Sequence, residues 1–194
     1  MTQTLLITGA STGIGAATAR AAAAAGWQVA LLARSQDELD SLAGEIGERA
    51  LALPCDVTDR AALNAAVDRT IDHFGGLDAV FANAGKGVSS PGIEQGVPAE
   101  WDEMIQLNVM AVLSTAHATL PHLRKTKGHF VVTGSKAGRD HLKGSVYGAT
   151  KWFVHGLAGN LAEENRANHN HPDELQVHQR GRRVGRQQAQ SDHE

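Results

Sequence analysis

Five short, largely apolar runs alternate along this chain with stretches that carry helix periodicity. The runs are residues 5–8, 28–33, 50–53, 77–82 and 129–133; the helical stretches are 13–25, 36–46, 59–74, 99–125 and 146–165. Apolar runs without strict polar alternation suit strands buried on both faces. Such strands, separated by helix-length crossovers, pair in parallel and take helices on both sides of the sheet. The expected architecture is α/β, a doubly wound parallel sheet whose ligands bind beyond the carboxyl ends of the strands. Boundary residues agree with this order. Gly26 and Gly75 stand where helices end in a left-handed residue, Ser35 to Glu38 has the form of a capping box, and Pro98 suits the first turn of the fourth helix.

A chain of 194 residues, 42% hydrophobic and 20% charged, holds one sizeable domain. That domain is expected over residues 1–166, because the composition changes after Asn165. Residues 167–194 carry four histidines and four arginines, with Leu175, Val177 and Val184 as the sizeable apolar side chains. Without a period of two or 3.6, this stretch is expected to be a disordered tail, since it buries too little surface to offset ordering entropy. Its basic run from Arg180 to Arg186 has the character of a solvated segment, and His169 with His171 makes too few ligands for a structural metal site. A net charge of −3 gives no general attraction for nucleic acid or an anionic membrane. The alanine-rich run 16–26 is too short to cross a bilayer and carries Arg20. The first residues lack the basic stretch and cleavage site of a signal peptide, and Cys55 has no second cysteine to pair with. A cytoplasmic chain, with neither nucleic acid nor membrane as partner, is expected.

The segment Thr8-Gly-Ala-Ser-Thr-Gly-Ile-Gly15 joins the first strand to the first helix. Its spacing is a close variant of the dinucleotide fingerprint of Rossmann-like sheets. Gly9 permits the sharp turn, Gly13 lets backbone approach a pyrophosphate, and Gly15 lets helix pack on strand. Ser11, Thr12 and Ile14 complete the turn, and the helix N-terminus beyond them offers N–H groups to phosphates. The second strand then ends in Ala33-Arg34, with no acid to bind the ribose hydroxyls that an NAD site holds. Arg34 offers instead a fork of donors that suits a 2′-phosphate, so NADP is favoured over NAD.

Tyr147-Gly-Ala-Thr-Lys151 places a phenol and an ammonium one helical turn apart, and Tyr147 is the only tyrosine. A fixed cation nearby favours phenolate, which suits the phenol to general acid/base work. Taken singly, Ser135 fits a loop serine, Asn108 a backbone partner where the long helix bends, and Asp56 a cap for the next helix.

Together, residues 8–15, Asn83-Ala84-Gly85, Asn108, Ser135 and Tyr147 with Lys151 resemble, in order and spacing, the short-chain dehydrogenase/reductase family over about residues 4–166. The tract 128–139 is most similar to a bacterial subgroup acting on alcohols, hydroxy acids or carbonyls, among them 3-hydroxy acid and serine dehydrogenases. The resemblance implies hydride transfer between NADP(H) and an alcohol/carbonyl substrate. It implies Tyr147 as acid/base on the substrate oxygen, and Lys151 as the group that favours its phenolate and holds the nicotinamide ribose. It implies Ser135 as the group polarising the carbonyl and Asn108 as the holder of a relay water. Asp56 and Val57 would contact adenine, while Asn83, Ala84 and Gly85 would line the cofactor cleft. Relatives build dimers and tetramers through helices that correspond to 99–125 and 146–165. They also continue with further strands, a Pro-Gly turn and a lid that are not recognisable after Asn165. A truncated or frame-shifted end is therefore expected, with an NADP-binding remnant of little activity as the alternative to an active enzyme.

Overall fold

Alternate side chains of the central strands serve two separate cores, one on each face of a parallel sheet. The structure, a computed structural model, describes residues 2–87, 92–167 and 176–180. Six strands, β1 (Thr4–Thr8), β2 (Gln28–Ala33), β3 (Ala50–Pro54), β4 (Ala79–Ala82), β5 (His129–Thr133) and β6 (Gln176–Arg180), pair in the order β3-β2-β1-β4-β5-β6. Every pairing is parallel. The order reverses between β1 and β4, and such a switch point leaves a crevice at the carboxyl ends.

Helices α1 (Gly13–Ala24) and α2 (Gln36–Ile46) pack on one face, where Leu5, Ile7, Val29, Leu31 and Phe81 are buried. Ala16, Ala19 and Ala23 give α1 a small-residue stripe against that face, so the alanine-rich run is a close-packed helix. Helices α3 (Arg60–Phe74), α5 (Ala111–Thr126) and α6 (Val146–Ala167) are built against the other face, with Leu6, Leu32, Val80, Phe130 and Val132. Strands buried on both faces explain the apolar runs without polar alternation. Among the described residues no helix is long and apolar enough to cross a membrane.

Three local expectations are corrected. The stretch 99–125 is not one regular helix: α4 (Pro98–Ile105) and α5 are joined by a π turn over Gln106–Met110, closed by the Ala111 N–H on the Gln106 carbonyl. Ser35 occupies the N-cap position of α2, but its side chain makes no capping hydrogen bond, so no capping box forms. The third correction concerns the supposed tail, in which residues 176–180 form β6 alongside β5. Strand pairing uses backbone groups, so it leaves no mark on the side-chain pattern of Gln176-Val-His-Gln-Arg180, and it covers an edge that β5 would otherwise present. His169, His171 and residues 181–186 of the basic run lie outside the described residues.

Candidate active site

The β1–α1 turn brings backbone closer to backbone than any side chain would allow. A Cβ on Gly15 would lie 2.1 Å from the Gly9 carbonyl oxygen, and one on Gly9, whose φ is +66°, would lie 2.9 Å from Ala84 Cα. The turn is thereby pressed against the end of β4. Ser11, Thr12, Gly13 and Ile14 line the cleft that opens above it, and Thr12 makes no side-chain cap to the first turn of α1. Those first-turn N–H groups suit an anion.

The cleft measures about 1230 Å³ and runs over the carboxyl ends of the sheet. At one end are Ala33, Arg34 and Ser35 from β2, with Cys55, Asp56, Val57 and Thr58 beyond β3. Asp56 is not the cap of α3. Asp59 has that task, accepting from the N–H groups of Ala61 and Ala62 at 2.8 and 3.2 Å. Asp56 accepts instead from the Thr58 N–H (3.0 Å) and hydroxyl (2.7 Å), which hold its carboxyl below the usual carboxylate range, with a smaller pull from Arg34. Burial, reinforced by Asp56 and Asp59, pushes the Cys55 thiol up to about 11, so the side chain is packing rather than a nucleophile.

Asn83 ties three strand ends together. Its Nδ2 donates to the Thr8 and Gly9 carbonyls, each at 3.2 Å, and its Oδ1 accepts from the Thr133 hydroxyl at 3.0 Å. The Thr8 hydroxyl oxygen accepts in turn from the N–H groups of Asn83 and Ala84. Ala84 and Gly85 continue along the cleft wall.

At the other end α6 presents Tyr147 and Lys151 to the cleft, with Ser135 beside them at the end of β5. Lys151 is 94% buried, with Nζ donating to the Thr133 carbonyl at 2.9 Å and lying 5.8 Å from the centre of the Tyr147 ring. Burial lowers the lysine from its ordinary range. Ser135 Oγ accepts from the Ala137 N–H at 3.2 Å, which leaves the hydroxyl hydrogen to be donated. The predicted turn residues, Arg34, Asp56, Val57, residues 83–85, Ser135, Tyr147 and Lys151 thus share one cleft. Gly15 lies beneath it as a packing position.

Asn108 is the exception, standing behind the wall on the π turn. Its Oδ1 accepts from the Lys86 N–H (2.9 Å), and its Nδ2 donates to the Lys86 carbonyl (2.7 Å) and to Thr150 Oγ1 (3.1 Å). Both amide hydrogens are therefore engaged with protein, and the side chain acts as a clamp. Ser35, Lys86, Glu103 and Thr133 also belong to the site and escaped sequence reasoning. For Ser35 the signal was its place next to Arg34; the other three carry no motif.

A doubly wound sheet with a glycine turn at its switch point and a phenol–ammonium pair lining the same cleft has the layout of a dinucleotide-binding fold. The family model for short chain dehydrogenase matches residues 3–170, and the chain belongs to that family. It is 36% identical over 155 residues to a serine 3-dehydrogenase of Agrobacterium fabrum, covering 79% of this chain and 62% of that one. Among solved structures it is similar to a 3-ketoacyl-(acyl-carrier-protein) reductase of Brucella melitensis complexed with NADH (TM-score 0.80, 31% identity, 85% of this chain, 71% of that one). It is likewise similar to a metagenomic short-chain oxidoreductase in complex with NADP (TM-score 0.83, 33% identity, 92% and 81% covered). Curated relatives are thus spanned over 62–70% of their length.

Proposed function

We propose that this protein transfers hydride between NADP(H) and a small alcohol or carbonyl compound, in the cytoplasm, through a catalytic domain of residues 1–166. The observation that carries this reading is the shared cleft: Tyr147 and the buried Lys151 stand at one end, and the glycine turn with Arg34 at the other. The residues present fit a dinucleotide, since Gly9 and Gly15 bring the turn into backbone contact and the first turn of α1 faces the cleft. When bound, the nicotinamide cofactor supplies or accepts the hydride.

The protein's own groups do the rest. Tyr147 Oη exchanges a proton with the substrate oxygen, and the ammonium of Lys151 stabilises the phenolate left after donation. Ser135 Oγ–H donates to the same oxygen, favouring the polarised carbonyl. Asn108 acts as a positioning residue, fixing Lys86 and, through Thr150, the first turn of α6, because the Thr150 hydroxyl also donates to the Tyr147 carbonyl at 2.8 Å. At the adenosine end, Val57 and Asp56 contact adenine and Arg34 takes the 2′-phosphate, with Ser35 beside it. Ile105 and Trp152 leave apolar surface exposed on α4 and α6, which supports assembly of dimers or tetramers through the stretches 99–125 and 146–165.

Cofactor choice is tested at Arg34. Charge-assisted contacts to a phosphate are worth about 1.5–3 kcal/mol, so NADPH should bind tenfold or more tightly than NADH, at about 1.4 kcal/mol per factor of ten. Arg34→Asp should reverse the order. Fluorescence titration of both cofactors measures it, and equal affinities in the parent chain would count against NADP.

A further inference from the structure

Ser135 is held by bonds of two kinds, and they have different tasks. Within its own turn, Oγ accepts from the Ala137 N–H at 3.2 Å and the carbonyl accepts from the Gly138 N–H at 3.0 Å. These bonds shape the 3-10 turn Lys136–Gly138 but give it no fixed place relative to Tyr147. Helix α6 supplies that place. His155 Nε2 lies 3.1 Å from the Ser135 carbonyl oxygen, and since a carbonyl only accepts, Nε2 is the nitrogen that carries the hydrogen. Lys151, one turn earlier, donates to the Thr133 carbonyl at 2.9 Å. The two bonds are in register. Four residues advance a helix by about 6 Å, and two residues advance a strand by about 6.6 Å. Ser135 continues β5 with extended backbone (φ −153°, ψ 155°), so donors at 151 and 155 meet carbonyls at 133 and 135 as two rungs. The approach is close enough to need a glycine. A Cβ on Gly138 would lie 2.5 Å from the Lys151 carbonyl oxygen and 2.6 Å from His155 Cδ2.

We propose that His155 is a positioning residue for the carbonyl chemistry, the second rung that holds the Ser135 hydroxyl where it shares the substrate oxygen with Tyr147. This rests on the acid/base reading of the cleft. His155 is half-buried and does not line the cleft, so it acts through Ser135 rather than on the substrate. Removing its donor leaves the Lys151 rung, and with it the charge beside Tyr147, in place. What is lost is the fixed position of the Ser135 hydroxyl, and a donor to a developing oxyanion helps most when it is preorganised.

The test compares the parent chain with His155→Leu, which has no donor, and His155→Gln, whose amide restores one. Steady-state kinetics with NADPH and a carbonyl compound that the parent reduces are read beside NADPH affinity and amide hydrogen exchange at Ala137 and Gly138. His155→Leu should lower kcat about tenfold and speed exchange at both amides about tenfold, with NADPH affinity changed less than about twofold. His155→Gln should return kcat and exchange to within about threefold of the parent. In a Ser135→Ala background, His155→Leu should change kcat less than about twofold, since its effect passes through the serine. Unchanged kcat and exchange in His155→Leu, a glutamine variant as impaired as the leucine one, or a full further loss in the Ser135→Ala background overturns the inference while the acid/base reading stands. A leucine variant that loses NADPH binding as well also overturns it, because the defect is then general. A parent chain that binds NADPH and reduces no carbonyl overturns the acid/base reading, and the inference with it.

Discussion

Replacing Tyr147 with phenylalanine is expected to lower kcat by about a thousandfold while cofactor affinity changes only a few-fold, the range typical for a lost general acid. The ring and its packing are kept, and only the exchangeable proton goes. The neighbouring geometry gives this prediction its specificity. Lys151 is fixed at both ends, by its place one turn along α6 and by its bond to the Thr133 carbonyl, so its charge stays beside the phenol in the variant. A variant that keeps its NADPH affinity but loses turnover locates the defect in proton transfer. Retention of turnover within tenfold would assign the acid/base role elsewhere.

The second large effect is on folding. Gly15→Ala should destabilise the protein by about 3 kcal/mol, the upper part of the range for overpacking. The new methyl would meet the Gly9 carbonyl oxygen at 2.1 Å and Ala10 Cα at 3.0 Å, and backbone atoms in a tight turn have nowhere to move. Gly44 is the control: it lies inside α2 with nothing within 4 Å of an added Cβ. Gly44→Ala should therefore stabilise by about 0.5–1 kcal/mol through helix propensity. Urea midpoints measure both. Similar midpoints for Gly15→Ala and the parent would mean that the turn is looser than the close packing requires.

Much of this molecule was legible before its structure. Strand runs with apolar residues on both faces have few other solutions than a parallel sheet between helix layers, and the turn at 8–15 fixes where the crevice lies. The pairing of Tyr147 with Lys151 follows from helical spacing alone. What escaped has a common cause. The π turn at Gln106–Met110 depends on one extra residue in a hydrogen-bonded ring, which apolar periodicity over so few residues does not report. Strand β6 is held to β5 through backbone groups, and Lys86 and Glu103 meet only because the β4 end and α4 share a wall. The Asn108 side chain serves Lys86 and Thr150, contacts that no local pattern encodes.

If Tyr147 and Lys151 perform NADPH-dependent carbonyl chemistry, the purified protein consumes NADPH in the presence of a carbonyl substrate. The most direct measurement follows the loss of nicotinamide absorbance when the purified protein is mixed with NADPH and a panel of aldehydes, ketones and keto acids, with Tyr147→Phe run in parallel. NADPH consumption is expected with at least one carbonyl, dependent on protein concentration and lost in Tyr147→Phe. No consumption with any carbonyl by a protein that binds NADPH, or the same consumption by the phenylalanine variant, would contradict that chemistry.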